Sequence, residues 1–192
     1  MDFQKIQLTK QGTLNATYKN ADGDVITFAG ANVVHKDLKQ AMQALIPHLA
    51  LITEQREAWN SNLAKLREQR ISDDGDNVYK RMNVDGITFT SEGNRVTITG
   101  TRILTRGGVI TVTSPSVGLD DRDDYKNTDE LALDIEAVVY ECKEYIEQRK
   151  WGVKQAQIEF ADIDPYKAEA GDVPDAGQQK AKRGRKSKKQ AA

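Results

Sequence analysis

Alternating apolar and polar positions divide most of the chain into short strands. In the first half the apolar positions are Ile6 and Leu8, then Leu14, Ala16 and Tyr18, then Ile26 and Phe28. In the second half they are Ile87 and Phe89, then Val96 and Ile98, then Ile110 and Val112. A period of two turns one face of a strand toward a core, and glycine-containing turns separate the segments. The pattern therefore predicts two antiparallel meanders of three strands each.

A different period, of three and four residues, follows each set of strands. The first such stretch carries Leu38, Met42, Leu45, Leu49 and Ile52, and the second carries Leu131, Ile135, Val138, Cys142 and Tyr145 or Ile146. This spacing is typical of an amphipathic helix packed on a core. Pro47 removes a backbone donor within the first stretch, so we expect a kink there.

The two halves also resemble each other in sequence. Gly23, Val25, Ile26 and Thr27 match the segment from Gly107 to Thr111 at identical spacing. These matches predict an α+β fold built from a duplicated unit, three antiparallel strands followed by one helix, with the helices packed on the sheets. The units span 3–70 and 78–160 and are joined by a linker at 72–77. Together they form one compact domain, 1–161.

The charge distribution separates this body from the C-terminal end. The 192 residues carry a formal net charge of −1, but residues 180–189 hold seven basic side chains, so the remaining 21 basic and 29 acidic residues give −8. Residues 162–192 mix Pro, Gly, Ala and charged residues without apolar periodicity. We expect this segment to be a disordered tail ending in a basic run.

Several functional classes have little support. The longest apolar stretch, 44–52, is too short to span a membrane, and the N-terminus has no signal-peptide pattern. With one cysteine and no leader, a cytoplasmic location is expected. His35 and His48 are interpreted as surface or boundary histidines, and Cys142 as a buried structural thiol. We therefore expect no enzyme activity, no cofactor and no metal.

One acidic cluster leaves two interpretations open. The aspartates between 120 and 124 are able to bind a cation, but they also precede a predicted helix. Acidic residues near a helix start are favoured by the helix dipole, which supports the second interpretation. The predicted cap is Thr128, with Asp129 and Glu130 in the first turn.

Two groups of basic residues are candidates for nucleic-acid binding. The tail group is Lys180, Lys182, Arg183, Arg185, Lys186, Lys188 and Lys189, and the strand group is Lys80, Arg81, Arg95, Arg102 and Arg106. Basic side chains neutralise phosphates whatever the base sequence, and the nearby Tyr79 and Phe89 are candidates for base stacking. The alternatives are a solubilising tail and a scattered, solvated strand face.

The duplicated arrangement of strands followed by a helix resembles the Whirly and transcriptional-coactivator group of single-stranded DNA-binding proteins. The resemblance covers about residues 4–150 and concerns architecture. It implies a curved sheet that contacts the strand and helices that serve packing and assembly. This chain has three predicted strands per unit where that group has four, and it lacks a Lys-Gly-Lys motif, so no residue role is carried over.

These observations favour a non-enzymatic accessory protein that associates with nucleic acid, with single-stranded DNA as the expected partner. Its size and tail suggest replication or recombination of a phage or mobile element, with a homo-oligomer possible and no membrane partner. The alternative is a phage structural or assembly protein, or a protein that binds a host factor through its acidic body. A small-ligand binder with a cavity between sheet and helices is a third hypothesis.

Overall fold

The computed structural model describes residues 1–72, 77–90, 92–120, 122 and 125–152. All of them belong to one compact unit, Met1–Lys154. The predicted domain end at 161 and the tail at 162–192 lie outside the described residues.

The strands form one antiparallel sheet. They are β1 Asp2–Leu8, β2 Thr13–Lys19, β3 Val25–Val33, β4 Met82–Phe89, β5 Arg95–Ile103, β6 Val109–Thr113 and β7 Val117–Gly118. The order across the sheet is β3-β2-β1-β4-β5-β6, and the short β7 also pairs with β5. The predicted α+β class and the antiparallel meanders are confirmed, but the two meanders join into a single sheet.

The two meanders meet at the centre of this sheet through β1 and β4. Ile6 lies opposite Ile87, and the flanking pairs are Lys5 with Thr88 and Gln7 with Gly86. The strand order is therefore symmetric about the β1–β4 pair, with β2 and β3 outside β1 and with β5 and β6 outside β4.

One face of the sheet is covered by helices and contains the core. The helices are α1 Lys36–Ala44, α2 Ile46–Ile52, α3 Leu63–Glu68, α4 Val78–Arg81 and α5 Thr128–Glu147. Most of the predicted helical positions are buried against the sheet, including Leu38, Leu49, Leu131 and Val138. None of the helices in this part of the chain is long and apolar enough to cross a membrane.

The helices differ between the two halves. The second half has one 20-residue helix, α5, as predicted. In the first half Pro47 lies in the first turn of α2, and α1 ends at Ala44 with Leu45 between the two helices. The predicted kink is thus a break, because proline is tolerated in a first helical turn but not in a helix interior.

The second face of the sheet, which we call the open face, is rich in threonine, and none of the helices in the described ranges packs on it. It carries Thr17, Thr27, Thr88, Thr97, Thr99 and Thr111. On the helix-covered face Gly100 is required, because a Cβ there would lie 2.0 Å from the Asn83 carbonyl oxygen and 2.9 Å from Leu49. The bulge that Gly100 suggests lies opposite it, between Val84 and Gly86 of β4.

Candidate nucleic-acid interface

A cleft opens where the segment between the two meanders returns to the sheet. Its volume is about 390 Å³. Five elements surround it: α1, the start of α2, the 3₁₀ turn Gln69–Ile71, α4 and the start of β4. The residues that line it are Gln43, Ile46, Arg70, Ile71, Ser72, Asn77, Tyr79, Lys80, Met82 and Asn83. We call it the Arg70–Lys80 cleft.

Asn77 holds the two walls of this cleft together. Its side-chain oxygen accepts a hydrogen bond from the Tyr79 amide at 2.8 Å and so caps α4. Its side-chain nitrogen donates to the carbonyl oxygens of Gln69 and Ser72. Asn77 is 2% exposed, so these bonds are shielded from water. Arg70 and Lys80 are therefore presented by walls that are fixed to each other.

Tyr79 contributes an aromatic surface to the cleft. The ring is half-buried against the core, and burial raises the pKa of its phenol. The nearby positive charges of Arg70 and Arg67 act in the opposite direction on that pKa. A neutral, partly shielded ring beside cationic groups suits contact with a base and its phosphate.

Both basic and acidic residues lie in the segments that form the cleft. Arg70 and Lys80 are exposed, and Arg81 follows them in α4. Arg67 is bound to the Asp134 carboxylate, which accepts from its guanidinium at 2.8 Å. Residues 73–76, which include three aspartates, lie between Arg70 and Lys80 in the chain and outside the described residues.

Of the predicted strand group, Arg102 lies on the helix-covered face instead of the open face. It pairs across the sheet with Met82 and Ile110. Its guanidinium donates to both carboxylate oxygens of Glu57, at 2.6 and 2.8 Å. Burial tends to raise the pKa of Glu57, but the Arg102 hydrogen bond and nearby charges outweigh it, and the pKa is lowered. Arg102 is thus engaged in an ion pair within the fold.

The other members of the strand group are separated from one another. The Arg95 guanidinium donates to the Ser116 carbonyl oxygen at 2.7 Å, at the start of β5. Arg106 lies in the turn between β5 and β6. Phe89 is partly buried on the core side, so it is not placed to stack on the open face. The structure does not bring the three arginines together, and it places only Lys80 and Tyr79 in the cleft.

The predicted tail group, from Lys180 to Lys189, lies outside the described residues. Its role in binding stays a prediction that rests on its charge.

His48 corrects an expectation from sequence, because it is fully buried rather than at a surface or boundary. Its Nδ1 lies 3.0 Å from the Tyr125 hydroxyl and its Nε2 lies 3.1 Å from Asp134. Asp134 also accepts from Arg67, so the four side chains form one polar chain that links α2, α3 and α5. Burial raises the pKa of Tyr125 to about 12. The partners stand far from His48 in sequence, and spacing along the chain gives no sign of them.

The remaining predicted positions have structural roles. Cys142 is buried, and burial raises the pKa of its thiol. His35 is partly exposed and caps α1 by accepting from the Asp37 amide. The cap of α5 is Asn127 and not Thr128, which is the first helical residue and is buried. No group of three His, Cys, Asp or Glu residues in the described ranges is placed to hold a metal ion.

Sequence reasoning missed Arg70 and Ile71 at this site. Ile71 is 94% exposed, and Arg70 precedes it in the same 3₁₀ turn. Trp59, earlier in the same connecting segment, is 74% exposed. On either side of Trp59 in the chain, Glu54 and Asn60 have φ angles of 50° and 56°, in the left-handed region that non-glycine residues seldom adopt. One feature of the sequence pointed to this segment. It contains large apolar residues, Trp59 and Ile71, in a stretch where the helical periodicity weakens, and such residues are not expected to be buried in a helix face.

Comparison with known proteins gives no match to a family model, to a curated protein or to a solved structure. The likeness to the Whirly and transcriptional-coactivator group therefore stays a resemblance of predicted architecture.

Proposed function

We propose that this protein binds single-stranded nucleic acid, with DNA as the expected target, and that the Arg70–Lys80 cleft holds one nucleotide. The observation that carries the proposal is the convergence of two cationic side chains and one aromatic ring in a cleft of about 390 Å³. Cavities of this size accommodate small organic groups.

Each wall of the cleft suits a different part of a nucleotide. Arg70 and Lys80 are suited to phosphate, and the Tyr79 ring with Ile71 offers apolar contact to a base. The amides of Gln43 and Asn83 are able to donate to and accept from base edges. Unstacked bases are accessible in a single strand but not in a duplex, so this combination favours single-stranded substrates.

In this proposal the protein is a non-enzymatic accessory factor in replication or recombination of a phage or mobile element. The basic tail adds phosphate contacts that do not depend on base sequence. The rest of the chain, which carries −8 outside residues 180–189, repels nucleic acid elsewhere and directs it to local basic sites.

We also propose that the two halves are a duplicated unit. The glycines of the first turns, Gly12 and Gly93, both have a φ of 74°, and those of the second turns, Gly23 and Gly107, have φ values of 87° and 86°. Bulges follow Phe3 in β1 and Val84 in β4. The second hairpin is two residues longer on each strand, which shifts the shared Val-Ile-Thr motif relative to the sheet centre.

An alternative function is supported by the outer side of α5. Leu133 and Tyr140 are 65% and 59% exposed, and Ala137 lies between them at helical spacing. The helix contains seven acidic residues and one lysine. An apolar stripe flanked by acidic groups suits a basic protein partner, as expected of an assembly or host-factor interaction protein.

The test measures binding of a fluorescent single-stranded oligonucleotide and of its duplex at two salt concentrations. Replacing Arg70 and Lys80 by Gln is expected to weaken single-strand binding and to lower the slope of log affinity against log salt by about 1.4, for two lost phosphate contacts. The matched control replaces Lys36 and Lys39, two exposed lysines of α1, by Gln. Equal effects of the two double variants would exclude the cleft.

Tyr79→Leu separates stacking from charge in the same assay. Loss of the ring is expected to weaken single-strand binding roughly tenfold without a change in salt slope, because one stacked base is worth about 1–3 kcal/mol. The alternative function would replace this one under two conditions. The cleft variants would have to leave oligonucleotide binding unchanged, and variants of Leu133 and Tyr140 would have to weaken binding to a protein partner.

A further inference from the structure

The two outer strands of the sheet lack the features that usually protect a sheet edge. Edge strands commonly carry lysine, other charges or proline, which prevent pairing with another chain. Neither β3, Val25–Val33, nor β6, Val109–Thr113, contains a charged residue or a proline. The charged residues are on inner strands instead: Asp2, Lys5, Lys19, Asp85, Arg95 and Arg102.

Both outer strands also expose branched apolar side chains. Val25 in β3 and Val109 in β6 are 57% and 64% exposed. Ile26 and Ile110, the next residue in each strand, are exposed as well. In the described part of the sheet, Val25–Ala29 pairs only with β2, and β6 pairs only with β5.

The two edges occupy equivalent places in the sheet, each two strands outward from the central β1–β4 pair. Strand direction alternates across the sheet order, so β3 and β6 run in opposite directions. The β6 strand of one copy therefore meets the β3 strand of a second copy as an antiparallel partner, with the helices of both copies on the same face.

We infer that β3 and β6 are docking edges for further copies of this chain, so that the sheet continues from copy to copy beyond a dimer. Because each copy has two such edges, one contact does not use up the binding surface.

The side chains of the two edges fit this pairing. With Thr111 opposite Thr27, Ile110 lies opposite Phe28 and Val112 opposite Ile26. Ile26 and Phe28 already share the helix-covered face with Tyr18 and Ala16, and Ile110 and Val112 share it with Arg102 and Gly100. The arrangement extends apolar rows on one face and threonine rows on the other.

The far end of β3 limits the edge that is available. Trp151 forms a bridge with Val34, and the Gly152 amide donates to the Val33 carbonyl oxygen at 2.8 Å. These contacts lie beyond the Val25–Ala29 stretch that the proposed pairing uses.

The hydrogen-bond pattern identifies substitutions that block an edge without breaking the sheet. The hairpins close with Asn20 donating to Asp24 and Leu104 donating to Gly108. In an antiparallel pair, hydrogen-bonded and non-hydrogen-bonded residue pairs alternate along the strands. Counting from these closing pairs, Thr27 and Thr111 fall in non-hydrogen-bonded pairs, so their amides point away from the sheet. Thr27→Pro and Thr111→Pro therefore remove an outward donor, and proline is tolerated at such edge positions.

The test measures the mass of the purified, nucleic-acid-free full chain by size exclusion with light scattering. The unmodified chain is expected to exceed a dimer. Each single proline variant and the double variant are expected to be monomers, because every contact needs an intact β3 edge from one copy and an intact β6 edge from the other. Thr27→Val and Thr111→Val keep the amide and are expected to keep the unmodified mass. Thr27→Lys and Thr111→Lys provide a second blocking pair if a proline variant fails to fold.

Three results would overturn the inference. They are a monomeric unmodified chain at its highest soluble concentration, a single-edge variant that keeps the unmodified mass, and a double variant that remains oligomeric. If only the Thr27→Pro variant kept the unmodified mass, another segment of the same chain would be the one that covers the β3 edge.

Discussion

At the scale of single residues, Arg102 is the clearest difference between the predicted and the observed basic surface of the second meander, because it lies on the helix-covered face. Strand periodicity places Arg102 with either face once a bulge is allowed, and Gly100 makes that choice ambiguous in sequence. The structure resolves it through Glu57, 45 residues away, which accepts two hydrogen bonds from the guanidinium. A charge that appears solvated in sequence is thus part of the link between the helical layer and the sheet.

Replacing Glu57 by Gln tests this ion pair. The side chains of Arg102 and Glu57 are 20% and 8% exposed, so we expect a loss of about 2 kcal/mol in the free energy of unfolding at neutral pH, below the cost of breaking a fully buried pair. The pKa of Glu57 is lowered from 4.5, so the pair's contribution is present above that value and is lost as pH falls through the folded pKa.

Urea unfolding at several pH values measures the effect. The difference between the unmodified chain and Glu57→Gln is expected to shrink below about pH 4.5. Glu68→Gln, an exposed substitution in α3, serves as the control and is expected to change stability by less than about 0.5 kcal/mol. A difference that stayed constant with pH would contradict the ion-pair account.

At the scale of elements, local patterns predict far more than long-range pairings do. The alternation of Ile87, Val96 and Ile98 and the helical spacing of Leu131, Ile135 and Val138 report which side of each element is buried, and the structure buries all six. These patterns depend only on neighbouring residues, so a single sequence contains them.

Pairings between distant elements have no such signal. The contact of β1 with β4, which joins the meanders into one sheet, and the contact of His48 with Asp134 link residues about 80 apart in the chain. The Arg70–Lys80 cleft depends on a similar event, the return of a weakly periodic segment onto α1 and β4. The sequence contains no pattern that predicts that Arg70 and Lys80 lie at the same cleft.

Two leucines of α5 provide a matched test of the helical face. Leu131 is fully buried and Leu133 is 65% exposed, two residues apart on the same helix. Leu131→Ala is expected to lower the free energy of unfolding by about 2–5 kcal/mol, because it leaves a cavity in the core. Leu133→Ala is expected to lower it by no more than about 0.5 kcal/mol. Similar losses for both, measured by chemical denaturation, would mean that the assigned face of α5 is wrong.

At the scale of the whole molecule, positive charge is concentrated in a few segments, so in the proposed binding mode the attraction to nucleic acid is local. The near-neutral total conceals a net charge of −8 on the residues outside 180–189 and a run of seven basic residues within that range. Within the body, α5 is strongly acidic, whereas Arg70 and Lys80 face a cleft on the connecting segment. The proposed binding mode therefore combines a general electrostatic contribution from the tail with a specific contribution from the cleft.

Removing residues 178–192 separates these two contributions. If the basic run contacts phosphates, its loss is expected to weaken single-strand binding and to lower the slope of log affinity against log salt by up to about five, since each single-strand contact contributes roughly 0.7. A chain of full length with the seven basic residues replaced by Gln is expected to behave like the truncated chain, because charge and not length determines the slope. Both chains are expected to retain the smaller salt dependence and the Tyr79 effect assigned to the cleft. An unchanged slope would remove the tail from the binding mechanism, whereas complete loss of binding would assign the interaction to the tail and leave the cleft without a role.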